Sequence, residues 1–245
     1  MKRYGLIGHP LGHSFSKSYF NEKFARETLD CQYENYDLED LGLLRPLLQQ
    51  HPDLKGFNVT IPYKEAILPY LDTLDETAAR IKAVNTVKVL EDNTLKGFNT
   101  DVIGFEALLD ESGFKGHSAL VFGTGGASKA VVYVLQKRGI DYHLVSRYAN
   151  RGDYTYDLLT PKSIERHTLL INTTPLGTFP KTEEAPSIPY EAITPSHTII
   201  DLVYNPEETL FLRRGRLHGA LTFNGLTMLY AQAEASWRIW SSNPS

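Results

Sequence analysis

The chain has 245 residues, of which 42% are hydrophobic and 22% charged, with a net charge of -4 and one cysteine. This length allows one large domain or two small ones with buried cores. The acidic balance excludes the electrostatic pattern of a nucleic-acid-binding protein, and no basic amphipathic helix or long apolar run indicates a membrane partner. Cys31 has no second cysteine for a disulfide within the chain, which predicts a reducing compartment, the cytoplasm.

The first hundred residues alternate short apolar strands with helical segments, which predicts an α/β layer with its own core. Strands are predicted at Arg3–Gly8, Gln32–Asp37 and Leu54–Val59, with a hairpin at Val84–Glu91 and Thr94–Phe98. Helices are predicted at Ser16–Thr28, at Leu41–Gln50 with a kink or interruption at Pro46, at Tyr63–Leu71 and at Glu76–Lys82.

The rest of the chain predicts a second α/β domain. Its apolar runs are short and rich in Val, Ile and Leu, which is typical of parallel strands covered on both faces. Residues 175–195 contain five prolines and are predicted to form an irregular loop, and a helix is predicted after Gly225. The predicted strands are Ala119–Phe122, Tyr142–Val145, Thr168–Ile171, Thr198–Leu202 and Gly219–Phe223.

A glycine turn links the first of these strands to the helix that follows it. Gly123 permits a tight turn, and Gly125 and Gly126 let the backbone approach a ligand closely. Such a turn presents backbone N–H groups and a helix N-terminus to a pyrophosphate. The motif departs from G-x-G-x-x-G at its last position, where Ser128 stands, and a short glycine run by itself is weak evidence.

The residues that follow the next strand strengthen the nucleotide interpretation. An NAD site places an acidic residue roughly 20 residues after the turn, whereas an arginine there accommodates a 2′-phosphate. Here Arg147 and Arg151 occupy that region, and no acid precedes them after Val145. The sequence therefore favours NADP over NAD, the alternative being that both arginines only solvate a surface loop.

Small polar side chains concentrate at strand ends of the first domain, which face the ligand crevice in open α/β sheets. These stretches are residues 13–16, 56–64, 84–86 and 97–101. Hydroxyls and amides suit alcohols and carboxylates, and a lysine with an aspartate, Lys64 and Asp101, suits the proton that accompanies a hydride. His9 and His13 are separated by Pro10 and Gly12, so we expect a loop there and no metal site.

These stretches together resemble the shikimate dehydrogenase family over nearly the full length of the chain. Eight motifs in order carry the resemblance: Ser14-Phe-Ser16, Asn58-Val-Thr-Ile-Pro-Tyr-Lys64, Asn85-Thr86, Asn99-Thr100-Asp101, Gly123-Thr-Gly-Gly-Ala127, Ile171-Asn-Thr-Thr-Pro-Leu-Gly177, Asp201-Leu-Val-Tyr204-Asn-Pro206 and Gly225-Leu-Thr-Met-Leu-Tyr-Ala-Gln232. The chain departs from the family at Lys17, where Pro is common, at Ser146, where Asn is usual, and at Tyr148, where Thr is common.

The resemblance implies NADPH-dependent reduction of 3-dehydroshikimate to shikimate, with Lys64 and Asp101 as catalytic residues. The substrate residues that it implies are Ser14, Ser16, Asn58, Thr60, Asn85, Tyr204 and Gln232. The cofactor residues that it implies are Gly123, Gly125, Gly126, Ala127, Ser146, Arg147, Arg151, Asn172, Thr173 and Gly225.

The expected architecture is α/β with two domains. Residues 1–101 form the substrate domain, completed by a C-terminal helix at 225–245, and residues 102–224 form a doubly wound Rossmann-type NADP-binding domain. The only expected partners are small molecules, and the chain is expected to be a monomer or a homodimer.

Several structural interpretations of the same residues stay open at this point. Lys64 is also compatible with a solvated helix start, and Asp101 with the N-cap of a helix beginning at Val102. The two serines are also good helix caps, Asn58 suits a buried turn, and Gln232 suits an exposed helix face. Open functional alternatives are a quinate dehydrogenase, a dehydrogenase that uses NAD, and a non-catalytic NADP- or metabolite-binding regulator.

Overall fold

The computed structural model describes residues 1–12 and 14–242, and the chain divides into two compact units. Unit 1 contains Met1–Thr100 and the chain from Ala233 onward, and unit 2 contains Asp101–Gln232. The division falls inside the last helix, so residues 225–232 and Asp101 lie in unit 2, unlike the predicted domain limits.

Unit 1 is built on a mixed sheet with the strand order β2-β1-β3-β5-β6-β4. β1 pairs in parallel with β2 and β3, β5 is antiparallel to β3 and β6, and β4 is parallel to β6. The strands are β1 (Lys2–Gly8), β2 (Cys31–Asp37), β3 (Leu54–Val59), β4 (Thr73–Leu74), β5 (Thr86–Val89) and β6 (Leu95–Phe98).

The helices of unit 1 depart from the predicted ones where prolines occur. The predicted Leu41–Gln50 helix starts as a 3₁₀ turn and becomes α-helical at Leu44, so Pro46 lies in the first turn, where its missing N–H is not needed. The predicted Tyr63–Leu71 helix ends after one turn because Pro69 cannot donate to the carbonyl four residues earlier. The helices are α1 (Phe15–Arg26), α2 (Leu44–Gln50), α3 (Tyr63–Ala66) and α4 (Glu76–Ile81).

The two faces of this sheet carry separate apolar clusters, as the alternation of side chains along a strand requires. Ile7 packs on the face covered by α2, whereas its neighbour Leu6 packs with α1 and the end of the last helix. Trp240 stacks on Tyr4 at 5.0 Å between ring centroids, and a Cβ on Gly56 would lie 2.4 Å from its indole. The predicted C-terminal helix thus finds its partner in α1 and β1.

Unit 2 is a parallel sheet with the order β12-β11-β10-β7-β8-β9, which confirms the predicted doubly wound fold. The chain leaves β7 towards β8 on one side and returns on the other side at β10, so the switch point lies between β7 and β10. The strands are β7 (Ser118–Phe122), β8 (Asp141–Ser146), β9 (Tyr154–Thr155), β10 (Leu169–Asn172), β11 (Thr198–Asp201) and β12 (Leu221–Phe223).

The helices of unit 2 include one that apolar periodicity does not reveal. α7 has six residues, too few for a periodic pattern, but Thr160 and Ser163 form a capping box around Pro161, which is a readable helix start. Within 175–195 the structure has a single 3₁₀ turn, Tyr190–Ala192, as expected of an irregular loop. The helices are α5 (Asp101–Ser112), α6 (Gly126–Lys137), α7 (Pro161–Arg166), α8 (Leu210–Leu217) and α9 (Leu226–Ser241), of which α9 continues into unit 1 from Ala233.

Across residues 1–12 and 14–242, none of the helices combines the length and the apolar character that crossing a bilayer requires.

Candidate active site

One edge of the unit 1 sheet gathers the strand ends that carry the predicted substrate residues. β1, β3 and β6 finish at this edge, and antiparallel β5 begins there. Thr60 follows β3, Asn85 precedes β5, and Thr100 follows β6. The sheet topology therefore brings together motifs that are distant in sequence.

Asn58 is the centre of a buried polar network on this edge. Its Oδ1 accepts a hydrogen bond from the Tyr33 hydroxyl at 2.8 Å. Its Nδ2 donates to Asn85 O at 3.2 Å, Thr86 Oγ1 at 3.1 Å and Ser236 Oγ at 2.9 Å. Because its donors and its acceptor are all engaged, these contacts favour the framework interpretation of Asn58 over its predicted substrate contact.

Asn85 fastens the end of β6 to the start of β5. Its Oδ1 accepts the backbone N–H of Thr100 at 2.7 Å, and its Nδ2 donates to Thr100 Oγ1 at 3.0 Å. Its backbone carbonyl accepts from Val59 N at 2.8 Å, which adds the end of β3 to the same assembly. Asp101 follows Thr100 directly in the chain, so Asn85 also fixes the peptide from which Asp101 begins.

Ser236 on α9 completes this polar network from the face of the sheet. Its hydroxyl has no exposed surface and lies 2.8 Å from Thr86 Oγ1 and 3.2 Å from Thr100 Oγ1, besides its contact with Asn58. A single hydroxyl thus joins residues that follow or belong to β3, β5 and β6. Nothing in the sequence around Ser236 sets it apart from a helical serine.

We expect Ser236→Ala to lower the free energy of unfolding by about 1–3 kcal/mol, because it leaves buried polar groups with fewer partners. Ser241→Ala is the matched control on the same helix, since Ser241 is exposed and its hydroxyl donates to Trp237 O at 2.7 Å. The control is expected to change stability by less than about 0.5 kcal/mol. Urea titration measures both, and equal midpoints for the two variants would contradict the assigned role.

Lys64 is held near these strand ends through its backbone. It is the second residue of α3, which follows β3 after the turn at Thr60, and its carbonyl accepts Val84 N at 2.7 Å. Thr60 N donates to Ile7 O at 2.9 Å and ties the turn to β1. The Lys64 side chain is half-buried. Both Lys64 and Asn85 are therefore positioned by the segment that leads into β5.

The two serines of the N-terminal motif lie at the start of α1. Ser14 is the N-cap residue, but its side chain makes no capping hydrogen bond, contrary to the capping interpretation. Ser16 is half-buried beside Tyr33. Burial raises the pKa of the Tyr33 phenol well above its usual range, and a hydrogen bond with Ser16 lowers it by a smaller amount. Both hydroxyls thus stand at a helix N-terminus, which favours an anionic ligand group.

The remaining predicted catalytic and substrate residues belong to unit 2. Asp101 is the first residue of α5 and is 4% exposed. Tyr204 is half-buried after β11, and burial raises the pKa of its phenol. Gln232 is half-buried on α9, where its Nε2 donates to Leu229 O at 3.0 Å. Their place in one site with Lys64 stays a prediction.

The glycine turn of unit 2 lies at the switch point. Gly123 has φ +110°, and a Cβ there would lie 2.6 Å from Thr173 Oγ1, so both conformation and space require glycine. Thr173 bonds to Phe122 O through its N–H at 2.9 Å and its hydroxyl at 2.8 Å. The ends of β7 and β10 are thus joined directly at the crevice.

The N-terminus of α6 opens at the same place. Gly125 is the N-cap residue and supplies no side-chain cap, and a Cβ built on it would meet no protein atom within 4 Å. Gly126 and Ala127 begin the helix. Ser128, at the position where the fingerprint has glycine, is buried and bonds back to Gly125 O at 2.7 Å. This bond explains how the departure is accommodated, and the helix N–H groups keep an open approach for an anion.

Asn172 has no exposed surface, which argues against the direct cofactor contact predicted for it. Its Oδ1 accepts Thr174 N at 3.0 Å, and its Nδ2 donates to Asp201 Oδ1 at 2.9 Å. Asp201 also accepts Val203 N at 3.1 Å and the Thr209 hydroxyl at 2.6 Å. Burial raises the pKa of Asp201, and these hydrogen bonds lower it by less, so that the pKa is about 6. Asn172 therefore orders the loops after β10 and β11.

Of the other predicted cofactor residues, some stabilise loops and others are exposed charged side chains. Ser146 is buried and accepts Tyr148 N at 3.1 Å. Gly225 is required by packing, since a Cβ there would lie 2.1 Å from Leu202 O. Arg147 and Arg151 are exposed at the carboxyl end of β8, next to the glycine turn across the sheet. Only the arginines present charge to a ligand.

Metal-binding geometry is not found in the described ranges. In residues 1–12 and 14–242, no three His, Cys, Asp or Glu side chains are grouped to hold an ion. His9 Nδ1 lies 2.7 Å from Asp37 Oδ1 in an exposed pair. His13 lies outside the described residues.

A parallel sheet with an uncapped helix N-terminus at its switch point defines unit 2 as a dinucleotide-binding fold, and the polar strand ends of unit 1 complete the class of a dinucleotide-dependent dehydrogenase. The family model described as "Shikimate dehydrogenase substrate binding domain" matches residues 6–87. A relative named shikimate dehydrogenase (NADP(+)) from Clostridium beijerinckii is 38% identical, covering 98% of this chain and 92% of that protein.

Solved structures agree with the sequence relatives. Shikimate 5-dehydrogenase from Thermus thermophilus, in complex with NADP(H) and shikimate, matches with a TM-score of 0.88 and 32% identity over 100% of this chain and 95% of that one. Quinate dehydrogenase from Corynebacterium glutamicum, in complex with NAD, matches with a TM-score of 0.86 and 26% identity over 98% and 93%. The chain belongs to the shikimate dehydrogenase family.

Proposed function

We propose that this protein is an NADP-dependent shikimate dehydrogenase, which reversibly reduces 3-dehydroshikimate to shikimate in chorismate biosynthesis. The observation that carries the proposal is the shared anchoring of Lys64 and Asn85 at the strand ends of unit 1, beside the peptide that leads into Asp101. This arrangement anchors a half-buried lysine among strand ends that carry hydroxyl groups, and a polyhydroxy substrate with a ring carbonyl requires such a proton donor.

The residues of unit 2 fit NADP. The open N-cap at Gly125 leaves the first N–H groups of α6 available to a pyrophosphate. Among the described residues, no carboxylate forms an ion pair with Arg147 or Arg151, so both guanidinium groups are available to a 2′-phosphate. When bound, NADPH supplies the hydride that the carbonyl carbon of the substrate accepts.

Lys64 serves the oxygen of the reacting carbonyl in this proposal. As hydride reaches the carbon, negative charge develops on that oxygen, and a lysine ammonium group stabilises it by donating a hydrogen bond or the proton itself. In the reverse direction the neutral amine of Lys64 accepts the hydroxyl proton of shikimate. Asp101 is proposed to hold Lys64 and the neighbouring hydroxyl in place.

Ser14 and Ser16 are proposed to bind the carboxylate of the substrate. Their hydroxyls are at the N-terminus of α1, and Ser14 is not engaged in capping it. Two hydroxyl donors and the positive end of a helix dipole suit a carboxylate.

The cytoplasm is the proposed location, in keeping with the single cysteine, whose thiol pKa is raised by partial burial.

The test is a spectrophotometric assay of the purified protein with shikimate or quinate and with NADP⁺ or NAD⁺. We expect the specificity constant to be highest for shikimate with NADP⁺. A higher value for quinate or for NAD⁺ would transfer the assignment to those alternatives. Absence of turnover across a wide pH range, with NADP⁺ binding retained, would reject the enzyme in favour of a binding protein.

A further inference from the structure

The loop after β8 holds two arginines around one exposed aromatic ring. The guanidinium carbon of Arg147 lies 5.7 Å from the centroid of the Tyr148 ring, and that of Arg151 lies 5.6 Å from it. Tyr148 is 55% exposed, which is high for an aromatic side chain of this size. Two cations that would otherwise repel each other thus share one neutral surface.

This loop has a defined backbone as well as charged side chains. The buried Ser146 hydroxyl accepts the N–H of Tyr148 at 3.1 Å, and Arg151 N donates to Tyr148 O at 3.0 Å. The one acidic side chain close behind, Asp153, accepts Leu144 N at 2.7 Å and so is engaged with the main chain. The arginines are therefore presented by a fixed turn, without an acidic partner among the described residues.

The position of the loop indicates what it binds. β8 lies beside β7, and the N–H of Gly123 in the glycine turn donates to Val145 O at 2.9 Å. Tyr148 follows Val145 by three residues, so the loop starts next to the glycine turn. A dinucleotide whose pyrophosphate lies at that turn directs its adenosine ribose towards the end of the neighbouring strand. Two arginines there match a phosphomonoester on that ribose.

We propose that Tyr148 is a specificity-determining residue for the cofactor: its ring holds Arg147 and Arg151 in place for the 2′-phosphate. Discrimination between NADP and NAD then depends on an uncharged side chain as well as on the two charges. The inference rests on the proposed NADP site. The ring acts by fixing long side chains before the ligand arrives, which reduces the entropy lost on binding.

The experiment compares the full-length wild-type protein with Tyr148→Ala and Tyr148→Phe by calorimetry. The probes are adenosine 2′,5′-bisphosphate and adenosine 5′-monophosphate, which differ only in the 2′-phosphate. Tyr148→Ala is expected to weaken the bisphosphate by about fivefold, since each exposed cation–π contact is small, and to leave the monophosphate within about twofold. Tyr148→Phe keeps the ring and is expected to bind both probes as the wild type does.

Three results would overturn the proposal. Equal weakening of both probes by Tyr148→Ala would assign the ring to the adenine base, and no weakening of either would leave it without a role. If the wild-type protein itself does not distinguish the two probes, the NADP site fails together with this inference. Shikimate oxidation is measured in a separate assay, so rejection of the role proposed for Tyr148 would not reject the proposed dehydrogenase activity.

Discussion

Replacing Lys64 by alanine is expected to lower the turnover number for shikimate by about 10²–10⁴-fold, the usual contribution of a positioned general acid or base. The physical reason is the loss of the ammonium group that we propose to face the developing charge on the reacting oxygen. Binding of NADPH, measured by fluorescence, is expected to persist, since the glycine turn and both arginines belong to unit 2.

Lys55→Ala is the matched control for this substitution. Lys55 is exposed near the opposite end of the strand that leads to Lys64, and its ammonium group donates to Pro52 O at 3.1 Å. Its loss is expected to leave turnover unchanged. Near-normal turnover of Lys64→Ala would remove Lys64 from the mechanism.

Asp101→Asn separates two roles of the carboxylate within the same experiment. If Asp101 holds the charge of Lys64, its neutralisation shifts the pH–rate profile as well as lowering the rate. A lowered rate with an unchanged profile would indicate that Asp101 only orients the substrate.

Replacing Asp201 by alanine is expected to lower the free energy of unfolding by about 3–5 kcal/mol at pH 4, below the raised pKa of this side chain. Three buried donors lose their acceptor, namely the groups of Asn172, Val203 and Thr209, and each lost partner costs about 1–3 kcal/mol. Asp141→Ala, at an exposed position of β8, is the control and is expected to change little. Denaturant unfolding measures both, and similar values would contradict the structural role of Asp201.

The Asp201→Asn variant tests the pH dependence with its sign. Burial raises the pKa of Asp201 from 3.8 to about 6, so between these values the folded protein holds a proton that the unfolded chain releases. This group therefore lowers stability as pH rises through that window, by about 3 kcal/mol in total. The asparagine keeps the acceptor for Asn172 and Val203 without ionising. Between pH 4 and about pH 6, the free energy of unfolding of the wild type is therefore expected to fall relative to that of Asp201→Asn. A difference between the two proteins that does not change with pH would contradict the raised pKa.

Most strands could be predicted because their apolar runs are local and continuous. β3 was predicted with its observed limits, and β7, β10 and β11 to within one residue at each end. Short elements and helix ends set by a single residue were harder to predict. α3 ends at Ala66 because of a proline three residues later, and the strand β4 has only two residues, too few for any pattern.

The network around Asn58 could not be predicted, because its members are remote in sequence. Ser236 lies 178 residues from Asn58, and a lone serine on a helix has no periodic or motif signal. Thr86 and Thr100 stand in the quoted motifs, yet only the register of β5 against β3 and β6 puts both hydroxyls within reach of Ser236. Asp201 had a weak signal, as an acid that ends an apolar strand.

The sequence by itself determined the family and the doubly wound fold of unit 2, and it predicted the preference for a 2′-phosphate. These depend on short ordered motifs and apolar runs, which are complete within a few consecutive residues. The tertiary structure decided which polar side chains of those motifs belong to the framework. Asn58, Ser146 and Asn172 are engaged by partners from other segments, whereas Ser14, Arg147 and Arg151 keep groups for a ligand. A buried polar group must find its hydrogen-bond partners wherever the fold brings them, and that choice is made only when distant segments meet.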